Sequence, residues 1–295
     1  MGQEAAVNDK QGGTAVSVRI VAMSDLHLGG KPWQVRKALQ LGQNADIVLL
    51  AGDLVNDGTP EQMERMHRCI EDKLLGVPVL AVAGNHDYPR QPSPMLREGI
   101  CDYPAMQAWL LSRQHYPYTQ DSSGAYALRA GELDIIGLNC VSHWRRFKFP
   151  NGLQLKWLAS YLKESDAMWH IVMCHAPLLA HNPKRSERKP YLSRDDQLQT
   201  IIDAHRNIIF LSGHTHICMG SAKECVEWDE TRHNIYINDG SIRPTTVLRE
   251  DGTPAAEPGS GNIAELKISS DQVTITAISV TNSAAIPKGE YCFLK

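Results

Sequence analysis

The chain has 295 residues, 42% of them hydrophobic and 21% charged, with a formal net charge of −3. That is an ordinary globular composition with length for a large core, as one large domain or two small ones. It excludes an overall basic field able to hold a nucleic-acid backbone non-specifically, so extended nucleic-acid binding is not expected, although a local basic patch stays open.

The first stretch, "MGQEAAVNDKQGGTA", has no apolar signal-peptide region and carries Ala6 where a myristoylation signal has Ser or Thr. Residues 1–15 read as a mobile tail, and 16–295 as a single domain. No run reaches the apolar length of a membrane span. The seven cysteines are scattered without a CxxC pair, which fits a reducing, cytoplasmic compartment.

"SVRIVAM" begins the first strand, and further strands are expected at "DIVLL", "VPVLAVA", "AYALRA", "LDIIGLN", "HIVMC", "NIIFLS", "NIYIND", "IAELKI" and "VTITAIS". Helices lie between several of them. Thr59, Pro60 and Gln62 form a capping box with Pro at the first helical position, and Met63, Met66, Ile70 and Leu74 mark the buried face. Asn151 with Gln154 opens a second helix, burying Leu153, Trp157, Leu158, Tyr161 and Leu162. Ser193 with Asp196 opens a third, carrying Leu198, Ile201 and Ile202. The C-terminal segment reads as strands and turns only. The class is therefore α/β with extra antiparallel strands.

Five strand ends carry chemistry. "VAMSDLHLGG" places Asp25 and His27 two apart, on one side of an extended chain. "IVLLAGDLVND" puts Asp53 past a strand, behind a glycine that allows close backbone approach. "AVAGNHDYPR" drops from an apolar run into Asn85, His86 and Asp87, a tripeptide that alone reads equally as an Asx turn. "WHIVMCHAP" ends on His175, and "IIFLSGHTHI" on His214 and His216. Ligands in open α/β sheets sit at the carboxyl ends of the strands. Each motif alone is weak, but together they offer oxygen and imidazole ligands for two metals, without thiolate. Cys174 should face the other side of its strand and belong to the core.

The ordered pattern D-x-H, G-D, G-N-H-D, H, G-H-x-H, running from Asp25 to His216, resembles the calcineurin-like metallophosphoesterase family. The resemblance implies a two-sheet sandwich flanked by helices, in four αββα layers. It implies one metal on Asp25, His27, Asp53 and His216, and a second on Asp53, Asn85, His175 and His214. Asp53 then bridges the two, and His86 faces the substrate unligated. Purple acid phosphatases have tyrosine three residues after the bridging Asp; Asn56 stands there in this chain. "SDLHLGG", "GDLVNDGTPEQ", "GNHD" and "QLKWLASYL" before "CHAP" are most similar to the bacterial class III cyclic-nucleotide phosphodiesterase branch.

Two cations roughly 3.5 to 4 Å apart can generate a bridging hydroxide and clamp a phosphate for in-line attack. The ligand set suits Fe, Mn or Zn. In this reading His86 protonates the leaving oxygen, and Asp87 fixes its tautomer. "SHWRRFKFPNG", residues 142–152, offers Trp144 or Phe147 to stack a base and Arg145 or Arg146 to hold phosphate; a loop pinned by its aromatics is the competing reading. "HNPKRSERKPY", residues 181–191, reads as a mobile rim or plain surface, and Tyr88 with the Pro-rich segment 89–104 should cover one side of the cleft. The leading expectation is a phosphodiesterase acting on a small substrate, cyclic nucleotide first. A phosphomonoesterase or nuclease on the same centre, and a non-catalytic protein-binding scaffold, are the alternatives.

Overall fold

The computed structural model describes residues 17–29, 32–89, 102–143, 146–184, 191–243, 245–248, 254–257 and 261–295. The expected tail over 1–15, Trp144, Arg145 and most of the 89–104 and 181–191 segments lie outside them. In chain order come β1 (Val18–Met23), α1 (Pro32–Leu41), β2 (Ile47–Leu50), α2 (Pro60–Lys73), β3 (Val79–Ala81), α3 (Tyr103–Ser112), β4 (Tyr118–Gln120), β5 (Tyr126–Ala130) and β6 (Leu133–Leu138). A small hairpin follows, β7 (Val141–His143) and β8 (Arg146–Phe147), and then α4 (Leu153–Glu164), β9 (Trp169–Cys174), α5 (Asp195–Asp203) and β10 (Ile208–Ser212). Strands β11 (Val226–Asp229), β12 (Asn234–Asn238), β13 (Thr245–Leu248), β14 (Pro254–Glu257), β15 (Asn262–Ile268), β16 (Gln272–Ser279) and β17 (Ala285–Leu294) complete the chain.

Two mixed sheets carry the fold. One has the order β17-β16-β15-β1-β2-β3, the other β11-β12-β10-β9-β6-β5-β4. Strands β1, β2 and β3 are parallel, as are β6, β9, β10 and β12. Antiparallel strands fill the flanks. Alternate residues of β1 divide between two cores: Ile20 and Ala22 pack between the sheets with Ile171, Met173 and Leu211, while Val21 and Met23 join the helices. Both faces of the central strands are thus buried, which is why their sequences are unbroken apolar runs. The expected two-sheet sandwich flanked by helices is the observed architecture, and Cys174 belongs to its core.

Helix α2 starts behind Thr59 as read, with Thr59 Oγ1 accepting from Gln62 N at 3.3 Å, but the reciprocal half of the box is not made, because Gln62 Oε1 accepts from Asn56 N and Asp57 N. The other two caps are corrected. Gly152, not Asn151, precedes α4, because the Gln154 side chain is committed elsewhere: it accepts from Asn139 N and donates to the Asn139 and Ser123 carbonyls. That commitment rotates the helix, so Gln154, Leu155, Leu158 and Leu162 are buried and Leu153 is exposed. Arg194 precedes α5, while Ser193 Oγ accepts from Phe149 N.

Gly137 lies in β6 under the ring of Tyr126, where a Cβ would stand 2.3 Å from ring carbons. The ring is fixed by its hydroxyl, which donates to the Ala81 carbonyl at 2.8 Å and so joins the two sheets. Gly137→Ala should destabilise by about 1–3 kcal/mol through overpacking, read as a lower urea midpoint. A midpoint equal to that of the parent would show that the ring moves aside freely.

Candidate metal centre

The parallel strands of both sheets end at one place. β1 delivers Asp25 and His27, β2 delivers Asp53, the segment after β3 delivers Asn85, β9 delivers His175, and β10 delivers His214 and His216. The backbone there is not extended, which corrects the expected geometry of the two D-x-H-like pairs. Asp25, His27, Asp53, His214 and His216 all have φ between 45° and 69°. A left-handed conformation in a residue with a Cβ is costly and concentrates at functional sites. The turn is held by a zipper past the sheet, in which Asp25 N, His27 N and Leu28 N donate to the carbonyls of Gly52, Asp53 and Leu54.

The expected close approach of a glycine is present at Gly52, where φ is +94° and a Cβ would lie 2.5 Å from His175 Nδ1. Gly84 is tighter, with any Cβ 2.2 Å from Asp53 N and Oδ1.

Six of the seven, all but Asn85, form two adjoining groups, and His27, Asp53 and His86 make a third such set. Asp25, His27 and His216 bring their ligand atoms within 4.8 Å of one another, as do Asp53, His175 and His214. Asp53 Oδ2 lies between the groups, 3.6 Å from His27 Nε2 and 3.4 Å from His175 Nε2. Its other oxygen accepts from His86 N at 2.7 Å. His27 Nε2 faces His216 Nε2 at 3.1 Å, and His216 Nε2 lies 2.9 Å from Asp25 Oδ1.

Asp25 Oδ1, Asn85 Oδ1 and His175 Nε2 are nevertheless buried without a hydrogen bond. Burying such atoms unmatched is expensive. Unpartnered donors of this hard and borderline kind suit divalent cations. The second ring nitrogen of His175 donates to the Ala51 carbonyl at 2.7 Å, which leaves Nε2 as its ligand atom.

The electrostatics are those of a charge-paired cluster. Burial alone would raise both acids, yet His216 keeps Asp25 well below the usual carboxylate range, and His175 holds Asp53 at about 2. His175 is raised in spite of its burial by Asp53, whereas burial and the neighbouring His175 lower His214 to about 3.

The NHD turn departs from the reading in one respect. His86 Nδ1 donates to the Asn56 carbonyl at 2.6 Å, so a backbone group sets its tautomer. Asp87, expected in that role, instead accepts from Gly84 N at 2.8 Å and Val55 N at 3.1 Å. It staples the turn to the Asp53 loop, and burial followed by the Asp53 charge raises it to about 8. His86 also packs edge-on to His27, with ring centroids 4.5 Å apart. A cavity of about 310 Å³ flanks the turn, lined in part by Tyr88, Tyr103, Gln107, Asn139 and Val141.

In the 142–152 segment, Phe147 is the residue brought to the centre, 4.7 Å from His214 between ring centroids. Arg146 is exposed, and as its neighbour on β8 it belongs to the opposite face of the strand. Arg145 lies outside the described residues.

Two residues not singled out by the sequence stand behind Asp25. Ser24 Oγ is 2.6 Å from Asp25 Oδ2 and 2.5 Å from Asp239 Oδ1. One hydroxyl proton cannot serve both acids, so one of them holds a proton of its own. That acid is Asp239, which burial, with the nearby Asp25 charge, raises to about 8. The proton order is therefore Asp239 to Ser24 to Asp25. A signal for it existed, since "NIYIND" ends on Asp239 in the same manner as the other five strand ends.

Fold and site together define a metal-dependent phosphoesterase. The chain belongs to the calcineurin-like phosphoesterase family, whose model matches residues 18–218, and it is by that membership a hydrolase of phosphate esters. Among curated proteins it is similar to a probable cyclic nucleotide phosphodiesterase of Synechococcus, 27% identical over 223 residues, covering 69% of this chain and 75% of that protein. A 3',5'-cyclic-nucleotide phosphodiesterase of Nostoc is 24% identical over 203 residues, covering 68% of this chain and 64% of its own length. Among solved structures, purple acid phosphatase PPD1 from yellow lupin seeds superposes with a TM-score of 0.64 at 14% identity, over 95% of this chain and 54% of that one. GAP50, the anchor in the inner membrane complex of Plasmodium, gives 0.57 at 15% identity over 95% and 89%. These two likenesses concern the fold.

The proton order has a measurable consequence in metal-free protein. Asp239 titrates near 8 when folded and about 3.9 when unfolded. Its contribution to stability is complete below about pH 4 and is lost as pH rises toward 8, because only the folded state then keeps the proton. Asp239→Asn donates to Ser24 without titrating and should flatten that decline, measured as urea midpoints at pH 5 and 8. An unchanged slope would mean that Asp239 is ionised.

Proposed function

We propose that the chain hydrolyses phosphodiesters at a two-metal centre, with small cyclic nucleotides as the substrate class. The observation that carries this is Asp53, whose Oδ2 is shared by two ligand groups containing buried, unpartnered donor atoms. In the proposal Asp25, His27, Asp53 and His216 hold one metal, and Asp53, Asn85, His175 and His214 the other, drawn from Fe, Mn or Zn. Such a pair supplies an activated water near neutral pH and a clamp on the phosphoryl oxygens.

The protein's part is positioning and proton control. The His86 backbone pins Asp53, and its ring, tautomer set by Asn56, is the group available to protonate a departing alkoxide. Burial lowers the His86 pKa, and with Nδ1 committed to Asn56 a donation from Nε2 uses the imidazolium, the minor form near neutral pH. The cyclic-nucleotide assignment is supported by the names of the Synechococcus and Nostoc relatives.

Residues 16–295 are taken as one catalytic domain, since β15–β17 complete the sheet that β1 begins. A cytoplasmic location fits the described cysteines, six of them and all free thiols. Among the described residues no helix is long and apolar enough to cross a membrane.

Asp53→Ala should empty both metal sites and abolish hydrolysis, read by metal analysis and a Mn-supplemented assay; a variant retaining two metals and near-parental activity would refute the shared-ligand assignment. His86→Ala should keep both metals. General acid catalysis is worth about 10²- to 10⁴-fold and matters most for basic leaving groups. The loss should thus be modest on bis-p-nitrophenyl phosphate and large on cyclic AMP. Equal losses on the two would make His86 a phosphoryl-oxygen stabiliser instead. Preferred turnover of p-nitrophenyl phosphate would replace the diesterase reading with a monoesterase.

A further inference from the structure

The histidines of the centre are not held alike. His175 and His86 are each anchored through Nδ1 to a backbone carbonyl. His214 makes no side-chain hydrogen bond among the described residues. Instead its ring meets three others near edge-on: Tyr191 at 4.4 Å and 85°, Phe147 at 4.7 Å and 66°, and His175 at 5.2 Å and 71°. Phe147 also stacks toward His175 at 6.1 Å and 23°. The two outer rings come from separate segments that are tied together, since Ser193 N donates to the Phe147 carbonyl at 3.0 Å and Ser193 Oγ accepts from Phe149 N at 3.1 Å.

We propose that Phe147 and Tyr191 are positioning residues that orient His214 by ring packing, in place of the usual hydrogen bond, and thereby set the affinity of the second metal position. The inference rests on the two-metal reading above. A ligating histidine normally gives its other N–H to a carboxylate, carbonyl or water, and loss of that partner lowers metal affinity by about 10- to 100-fold. Edge-on contact uses a different attraction, the positive ring edge against the negative ring face. It restricts tilt without adding charge to the imidazole. His214 should accordingly be the ligand most sensitive to the rim, while the Asp25, His27 and His216 group is indifferent to it.

The test is calorimetric titration of the metal-stripped full chain with Zn²⁺, which reads binding and not turnover. The parent should take up two ions; fewer than two would overturn the two-metal reading itself. Phe147→Leu, which fills the space without a ring, should weaken one of two binding steps by about tenfold and leave the other unchanged. Phe147→Tyr and Tyr191→Phe should restore or retain both, because the rings and not the hydroxyl do the holding. Two unchanged steps in Phe147→Leu would overturn the proposal and leave the two-metal reading intact. An equal weakening of both steps, or a collapse of thermal stability, would also overturn it, by making Phe147 a structural residue only. Tyr191→Leu gives an independent second reading of the same step.

Discussion

Everything in the centre turns on the Asp53 carboxylate. It is fully buried, and so is Asp25, yet among the described residues no lysine or arginine compensates them; the neutralising groups are imidazoles. Two anions in a low-dielectric space repel, and a charge stripped of water is tolerated only when paired. His216 and His175 provide that pairing, and their own pKa values rise in exchange. Metal binding at these imidazoles would require their protons to leave, which would link metal binding to proton release.

Holding acids that close together requires backbone that ordinary strands do not supply. The sheets deliver the chain to the right end, and five left-handed residues then turn the side chains inward. Gly52 and Gly84 clear the room for this, and the zipper between the two loops after β1 and β2 holds it. Asp87 closes the last gap by taking the amides of Gly84 and Val55. Strain at the candidate ligands is thus offset by hydrogen bonds made in part by their own backbone and in part by Asp87, and a Cβ at Gly52 would meet His175 while one at Gly84 would meet Asp53.

The legible part of this design was the part written in contiguous residues. Strands buried on both faces are apolar runs, so β1, β2, β3, β6, β9, β10 and β12 stood out, and with them the polar residues at their ends. Exposed edge strands carry no such signal. β4 is exposed throughout, and β17, with Pro287 and Gly289 inside it, alternates without an apolar run. The caps at Asn151 and Ser193 misled because side chains that match a local motif had tertiary partners. Gln154 serves Asn139, and Ser193 serves Phe149. The same applies to His86, where a neighbouring carboxylate was the obvious orienter and a carbonyl from another loop does the work.

The two halves of the centre also differ in access. The His216 side chain is 31% exposed, whereas that of His175 is fully buried. Rings from two segments cover the His214 side. Among the described residues the His216 side chain is thus more exposed than that of His175, and the ring of His86 stands edge-on to its neighbour His27. The closed half is then free to be rigid, with its ligands set by packing and a backbone carbonyl. The open half keeps the charged, hydrogen-bonded acid Asp25, backed by the proton order from Asp239 through Ser24.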